Sequence, residues 1–147
     1  QGDDYATISY SPADSPVAMF GGNSNWRGPV WFPINFLFIE TLETYHQFYG
    51  DDFKIECPTG SGQMMTLAEV ARDICQRLVN LFLPDENGIR PALQHCHLYR
   101  QGEPWQDELL FHEFFHGDQG EGLGASHQTG WTALVLNCLD KLRTSPV

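Results

Sequence analysis

Basic side chains are scarce in this chain. Its 147 residues include 8 lysines and arginines against 19 aspartates and glutamates, which gives a formal net charge of −11. A protein that tracks nucleic acid needs cationic side chains to neutralise phosphates, so this charge argues against a nucleic-acid partner. Neutral or cationic ligands are easier partners for such a surface.

Long apolar runs and closely paired cysteines are also missing. No uninterrupted stretch approaches the roughly 18 apolar residues that a membrane-spanning helix requires, so we expect no membrane association. The cysteines are dispersed, without a C-x-x-C pair; they are Cys57, Cys75, Cys96 and Cys138. Dispersed cysteines are typical of a reducing compartment, and we therefore expect free thiols and a cytoplasmic location.

The start of the chain lacks an initiator methionine and both regions of a signal peptide. Gln1 opens the sequence, and neither a basic stretch nor an apolar stretch follows it. Residues 1–28 are rich in proline, serine and glycine and show no sustained periodicity. We expect the chain to be an excised piece of a larger polypeptide that begins with a long irregular segment.

The first predicted helix is unusually apolar. Pro33 suits its first turn, the helix runs to Tyr49, and Gly50 provides a left-handed stop. Its first half is apolar on nearly every side, a pattern typical of a helix that is buried all round. A chain of this length offers few elements to surround it, so the helix predicts additional neighbours from elsewhere.

Two further helices follow, and together they predict an all-α fold. Thr66 and Glu69 form a capping box at the start of the second helix, which ends before Pro84. The third helix runs from about Thr129 to Leu142. Between them lies a region rich in glycine, histidine and aromatic residues that leaves room for short strands.

The segment from His112 to His116 reads H-E-F-F-H, which matches the H-E-x-x-H signature of zinc-dependent metallopeptidases. That signature requires a helix, and the glycine-rich residues 117–124 do not allow one. The extended signature also fails, because Gln119 and Gly122 stand where glycine and a third histidine belong. A third ligand would have to come from Glu121 or His127.

Glu113 nevertheless suits acid-base chemistry. A carboxylate among apolar neighbours is destabilised unless it is paired, and this setting favours a functional role. The alternative is a buried aromatic-rich segment that happens to contain polar residues. His95, Cys96 and His97 form a second polar cluster, which we interpret as ordinary loop residues.

A second motif combines aromatic and polar groups at the start of the first helix. Trp26, Arg27 and Trp31 lie within the stretch N-W-R-G-P-V-W of residues 25–31. Indoles stack on the apolar faces of pyranose rings while guanidinium groups donate to hydroxyls, so the motif indicates a sugar platform. The alternative is two core tryptophans and a surface arginine. Residues 126–131 repeat the arrangement, with His127 and Trp131 at a helix entrance.

These motifs resemble glycoside hydrolase family 63. The resemblance extends from about Phe20 to Leu142 and is carried by residues 25–37, by Glu113-Phe114-Phe115 with the glycine-rich run, and by Gly130-Trp131-Thr132. It implies an (α/α)6 toroid of twelve helices and an inverting, exo-acting, glucosidase-like α-glycosidase. Glu113 matches the general base. The matching sugar-pocket residues are Trp26, Arg27, Trp31, Asn35, His127 and Trp131.

The resemblance also implies an incomplete domain. The family's general acid is an aspartate far upstream, and three helices cannot close a twelve-helix ring. Residues 1–147 are therefore expected to be the C-terminal part of the catalytic domain, inactive alone. The expected partners are the missing N-terminal part and an oligosaccharide or small glycoside, without metal or other cofactor. Two alternatives stay open: a zinc metallopeptidase and a non-catalytic carbohydrate-binding module.

Overall fold

The computed structural model describes residues 10–15, 28–100 and 107–144. These residues are mostly helical, with two small sheets of two strands each. In chain order the elements are α1 (Phe32–Tyr49), β1 (Lys54–Glu56), β2 (Met64–Thr66), α2 (Leu67–Asn80), two 3-10 turns (Pro91–Leu93 and His97–Arg100), β3 (Phe114–Phe115), β4 (Gly122–Leu123), α3 (Thr129–Thr132) and α4 (Leu134–Thr144).

Helix α1 follows its sequence signals. Pro33 occupies the first turn, where its missing N–H is not needed. Gly50 ends the helix at a φ of 69°, and its N–H donates to the carbonyl of His46 at 2.8 Å. The predicted span of this helix is confirmed.

The apolar side chains of α1 divide between two faces. Phe32 and Ile39 are fully buried against the other helices. Leu37 and Phe38, on the opposite face, are 61% and 58% exposed. Within the described residues, the all-round burial expected for α1 is therefore not achieved.

Helix α2 starts with the predicted capping box. The Thr66 hydroxyl accepts from the Glu69 N–H at 3.2 Å, and the Glu69 carboxylate accepts from the Thr66 N–H at 2.6 Å. Reciprocal bonds of this kind satisfy two donors that a helix start leaves open. The buried residues of α2 are Leu67, Val70, Ala71, Cys75, Leu78 and Val79.

The third predicted helix is divided in two, which corrects the sequence prediction. The short helix α3 ends at Thr132, Ala133 forms a turn, and α4 continues to Thr144 rather than Leu142. At the division the Leu136 N–H bonds the carbonyl of Ala133, three residues back, at 3.0 Å. This tighter turn accompanies side-chain bonds that tie α3 to another segment, described below.

The short strands occur where the sequence left room for them and also before α2. Strands β1 and β2 form an antiparallel hairpin in which Lys54 pairs with Thr66. Strands β3 and β4 pair antiparallel, with Phe114 opposite Leu123 and Phe115 opposite Gly122.

An aromatic cluster joins β3 to the helices. Phe32, Phe82 and Phe115 meet edge to face, with ring centroids 5.6 to 6.1 Å apart. Such pairs contribute about 0.5–1.5 kcal/mol each beyond the burial of their area. The cluster therefore fixes the segment that carries Phe115 to the start of α1.

Helices α1 and α4 are also joined by an ion pair. The Lys141 Nζ lies 2.7 Å from a Glu40 carboxylate oxygen and 2.6 Å from one of Glu43. Cys75 on α2 and Cys138 on α4 are buried between the helices, and all four cysteines carry free thiols. No helix among the described residues is long and apolar enough to cross a membrane.

The capping box gives a test of the fold. We expect Thr66→Ala to destabilise the start of α2 by about 1 kcal/mol, because the Glu69 N–H loses its acceptor. Hydrogen exchange of the amides in the first turn of α2 should become faster by about fivefold. Thr59→Ala in the exposed β1–β2 loop is the matched control and should leave α2 unchanged.

The capping box can also be tested by varying the pH. Hydrogen bonds from the Thr66 N–H and hydroxyl lower the pKa of Glu69 below its ordinary 4.5. A lowered carboxyl pKa stabilises the fold above the unfolded pKa, and this contribution disappears as pH falls through the folded pKa. Glu69→Gln, which keeps the cap but does not titrate, should abolish that pH dependence. Equal acid sensitivity in both proteins would contradict the cap's role.

Candidate active site

The candidate site is built around residues 111–116, a segment that bends at Glu113 and is extended at β3. On one side the Phe115 N–H donates to the Val30 carbonyl at 2.9 Å, and the Val30 N–H donates back at 3.1 Å. On the other side the Glu113 N–H donates to the Ala125 carbonyl at 2.7 Å. The end of the tryptophan-arginine motif therefore lies directly beside the segment that carries Glu113, although some 80 residues separate them in sequence.

Three successive carbonyls of this segment accept hydrogen bonds from a single turn of chain, residues 128–132. The Gln128 N–H donates to the Phe111 carbonyl at 2.8 Å. The Thr132 hydroxyl donates to the His112 carbonyl at 2.5 Å, and the Trp131 indole N–H donates to the Glu113 carbonyl at 2.9 Å. Helix α3 thus fixes the backbone that carries Glu113.

Glu113 is partly buried. Its carboxylate is held by Ala125, the residue whose carbonyl accepts from the Glu113 N–H. Its Oε2 accepts from the Ala125 N–H at 3.2 Å. Gly124 precedes that amide with a φ of 68°, and a Cβ there would lie 2.7 Å from Oε2 and 2.8 Å from the Phe114 ring. Only glycine allows the backbone to approach Glu113 this closely.

Two other glycines lie against aromatic rings in the same way. A Cβ on Gly28, whose φ is 64°, would lie 2.0 Å from Cδ2 of Phe114. A Cβ on Gly122 would lie 2.2 Å from Cδ2 of His112. The glycines of both motifs therefore permit close contact with the extended segment.

The two described tryptophans of the predicted sugar pocket touch each other. The Trp31 and Trp131 rings meet edge to face, with centroids 5.5 Å apart and an interplanar angle of 80°. Because Trp131 also donates to the Glu113 carbonyl, it links Trp31 to Glu113. Trp26 and Arg27, predicted to complete the platform, lie outside the described residues.

Asn35 and His127 lie on different sides of this arrangement. The Asn35 side-chain amide donates to the Trp31 carbonyl at 2.9 Å. Asn35 also lines a cavity of about 450 Å³ between α1, α2 and residues 116–120, and Glu113 is not part of its lining. His127 is exposed and pairs with Phe111 in an isolated parallel bridge. Their predicted contacts with sugar stay predictions.

The two histidines of the H-E-x-x-H motif have separate surroundings. Burial lowers the pKa of His112, nearby Glu121 opposes that shift, and His127 adds to it. The His116 Nδ1 accepts from the N–H groups of Asp118 and Gln119 at 3.1 and 3.2 Å. The segment is extended rather than helical, so the register that a zinc peptidase needs is absent.

Within residues 10–15, 28–100 and 107–144, no group of three or more histidines, cysteines, aspartates or glutamates is arranged to hold a metal ion.

The sequence did not reveal several contacts in and around the site. His95, interpreted as a loop residue, lies with its Nε2 3.2 Å from Gln119 Oε1 and 3.5 Å from Glu121 Oε2. Thr132 and Ala125, which hold the backbone and carboxylate of Glu113, had no signal of their own. The Gly-Trp-Thr sequence was the nearest indication, and it pointed to the tryptophan.

Comparison with known proteins relates the chain to part of a glucosidase. Over 142 residues it is 49% identical to Uncharacterized protein YMR196W of Saccharomyces cerevisiae, covering 95% of this chain and 13% of that protein. Over 140 residues it is 31% identical to the mannosyl-oligosaccharide glucosidase of the same yeast, covering 94% of this chain and 13% of that enzyme. The chain thus spans 13% of the length of each of these relatives. No protein-family model and no solved structure matches it.

The glycine contacts give a test of the site. We expect Gly124→Ala to destabilise the protein by about 2 kcal/mol, because the new Cβ strains a left-handed backbone and meets Glu113 and Phe114. Gly130→Ala is the matched control, since its Cβ would meet nothing within 4 Å. It should be neutral or stabilising by up to about 1 kcal/mol. Urea unfolding followed by tryptophan fluorescence measures both, and equal midpoints would contradict the packing described.

Proposed function

We propose that this chain is the C-terminal part of the (α/α)6 catalytic domain of a family 63 glycoside hydrolase, an inverting, exo-acting, glucosidase-like α-glycosidase. Glu113 is its general base. The observation that carries this proposal is the fixed position of Glu113 between two tryptophan-containing motifs. Similarity to a mannosyl-oligosaccharide glucosidase over 94% of the chain supports the same reaction class.

In the proposed reaction Glu113 activates water. Its carboxylate removes a proton while the water oxygen attacks the anomeric carbon on the face opposite the leaving group. The glycosidic C–O bond breaks, and the leaving oxygen takes a proton from an acid outside this chain. The resemblance implies an upstream aspartate for that acid. Inverting pairs stand roughly 6.5–9.5 Å apart, which leaves room for the water.

The hydrogen bonds of Glu113 suit a base. An ionised carboxylate accepts at about four lone-pair positions, and the bond from the Ala125 N–H occupies one of them. That bond orients the group and leaves capacity for a water. Backbone hydrogen bonds on both sides of residues 111–116 keep the Glu113 carboxylate from moving when substrate binds. Catalysis by positioning requires a catalytic group that is fixed in this way.

The substrate in this proposal is an oligosaccharide with a terminal glucose. Trp31 lies beside the Glu113 segment through its contact with Trp131, and indoles stack on the apolar faces of pyranoses. Trp26, Arg27, Asn35 and His127 stay predicted contacts of this sugar. No metal or other cofactor takes part in the proposed step.

The remainder of the catalytic domain is the proposed partner of α1. Leu37 and Phe38 present an apolar face that the described residues do not cover. Large apolar patches of this kind mark interaction surfaces. The isolated chain should therefore lack activity. The free thiols are consistent with a reducing compartment, and we place the protein in the cytoplasm.

The decisive variant is Glu113→Gln in the full-length protein. Removing the base should lower kcat for a glucose-terminated mannosyl-oligosaccharide by about 1000-fold, with little change in KM. Glu108→Gln, at an exposed glutamate five residues earlier, is the matched control and should retain normal turnover. Released glucose measures the rate.

Three outcomes would contradict the proposal. Near-normal turnover by Glu113→Gln would remove Glu113 from catalysis. Peptidase activity lost on chelation would favour the zinc alternative. Binding of the oligosaccharide without hydrolysis by the full-length protein would favour a carbohydrate-binding module.

A further inference from the structure

We propose that Thr132 is a positioning residue for Glu113 and acts through the backbone carbonyl of His112. The inference builds on the proposed role of Glu113 as the base. Thr132 is fully buried, so its hydroxyl does not contact substrate. The hydroxyl donates to the carbonyl of the peptide group that joins His112 to Glu113, at 2.5 Å.

The bond fixes one of the two peptide groups that flank Glu113. A peptide group is planar, so the His112 carbonyl and the Glu113 N–H move together. Thr132 holds the carbonyl end of this plane, and the Ala125 carbonyl accepts from the N–H end at 2.7 Å. The plane is therefore held at both ends.

The second flanking peptide group is held by Trp131. Its indole N–H donates to the Glu113 carbonyl at 2.9 Å. With both planes fixed, the two backbone dihedrals of Glu113 are fixed, and they set the direction of its Cα–Cβ bond. The Ala125 N–H then holds the carboxylate itself. The contacts from Thr132, Trp131 and Ala125 that hold Glu113 are therefore all directional hydrogen bonds.

Without the Thr132 hydroxyl, the His112 carbonyl would be left without this donor in a partly buried setting. Such a group moves towards another donor or towards water, because a buried unsatisfied carbonyl is unfavourable. Movement of that plane rotates the Glu113 side chain. A displacement of about 1 Å at a catalytic group can lower turnover about 100-fold.

The test uses the full-length protein and α-D-glucosyl fluoride, with fluoride release as the rate. Thr132→Val should lower kcat by about 10- to 100-fold and leave KM nearly unchanged. Thr132→Ser keeps the hydroxyl and should restore kcat to within about threefold of the original protein. Thr144→Val is the matched control, because it removes an exposed hydroxyl bonded to the carbonyl of Asp140 at the end of α4. It should not change kcat.

Azide separates positioning from general damage to the fold. It attacks the anomeric carbon as the C–F bond breaks, fluoride leaves with the bonding electrons, and the nucleophile gives up no proton. Azide should therefore raise the turnover of Thr132→Val, as it should for Glu113→Ala, and give the inverted glucosyl azide. Azide can restore turnover when the base is misplaced, because it attacks without giving up a proton. It cannot restore turnover when the sugar pocket itself is damaged.

Distinct results overturn the two proposals. Normal kcat for Thr132→Val, with Glu113→Gln inactive, would end the positioning role and leave the base in place. A loss in Thr132→Val that azide does not restore would assign Thr132 a purely structural role and also overturn the inference. Normal turnover by Glu113→Gln would instead overturn the proposed function itself.

Discussion

The hydrogen bonds of residues 111–116 are the interaction on which the rest of the site depends. This segment is extended but belongs to no large sheet, so its backbone groups need partners from unrelated parts of the chain. Val30 provides them on one side, and residues 121–125 and 128–132 provide them on the other. Loss of one of these partners would leave a backbone polar group unpaired in a partly apolar setting, which is unfavourable.

The packing around residues 111–116 brings these backbone partners close to the segment. The glycines at 28, 122 and 124 allow two stretches of backbone to lie against Phe114, His112 and Glu113 at distances that a side chain would forbid. On the opposite side Phe115 enters the aromatic cluster with Phe32 and Phe82, which ties the segment to the helices. The site is thus fixed both by glycine contacts and by the hydrophobic core.

Sequence patterns predicted the structural features that depend on residues close together in the chain. The capping box at Thr66 and the proline and glycine that bound α1 act within a few residues, so the sequence reveals them directly. The division at Ala133 was not predictable, because helical periodicity continues through it while bonds from α3 to a distant segment change its geometry. For the same reason the hydrogen bonds from Trp131 and Thr132 to the Glu113 and His112 carbonyls were not predicted. The predicted sugar contact of Trp131 stays a prediction. The absence of a helix over residues 112–116 was predictable, because the glycines that follow are a local signal.

In the proposed mechanism Glu113 activates water on one face of the sugar, which fixes the stereochemistry of the product. Proton NMR of the full-length protein acting on a terminally α-glucosylated oligosaccharide measures the anomer released before mutarotation. We expect β-glucose as the first product. Release of α-glucose would require attack through a covalent intermediate and would contradict the proposed role of Glu113.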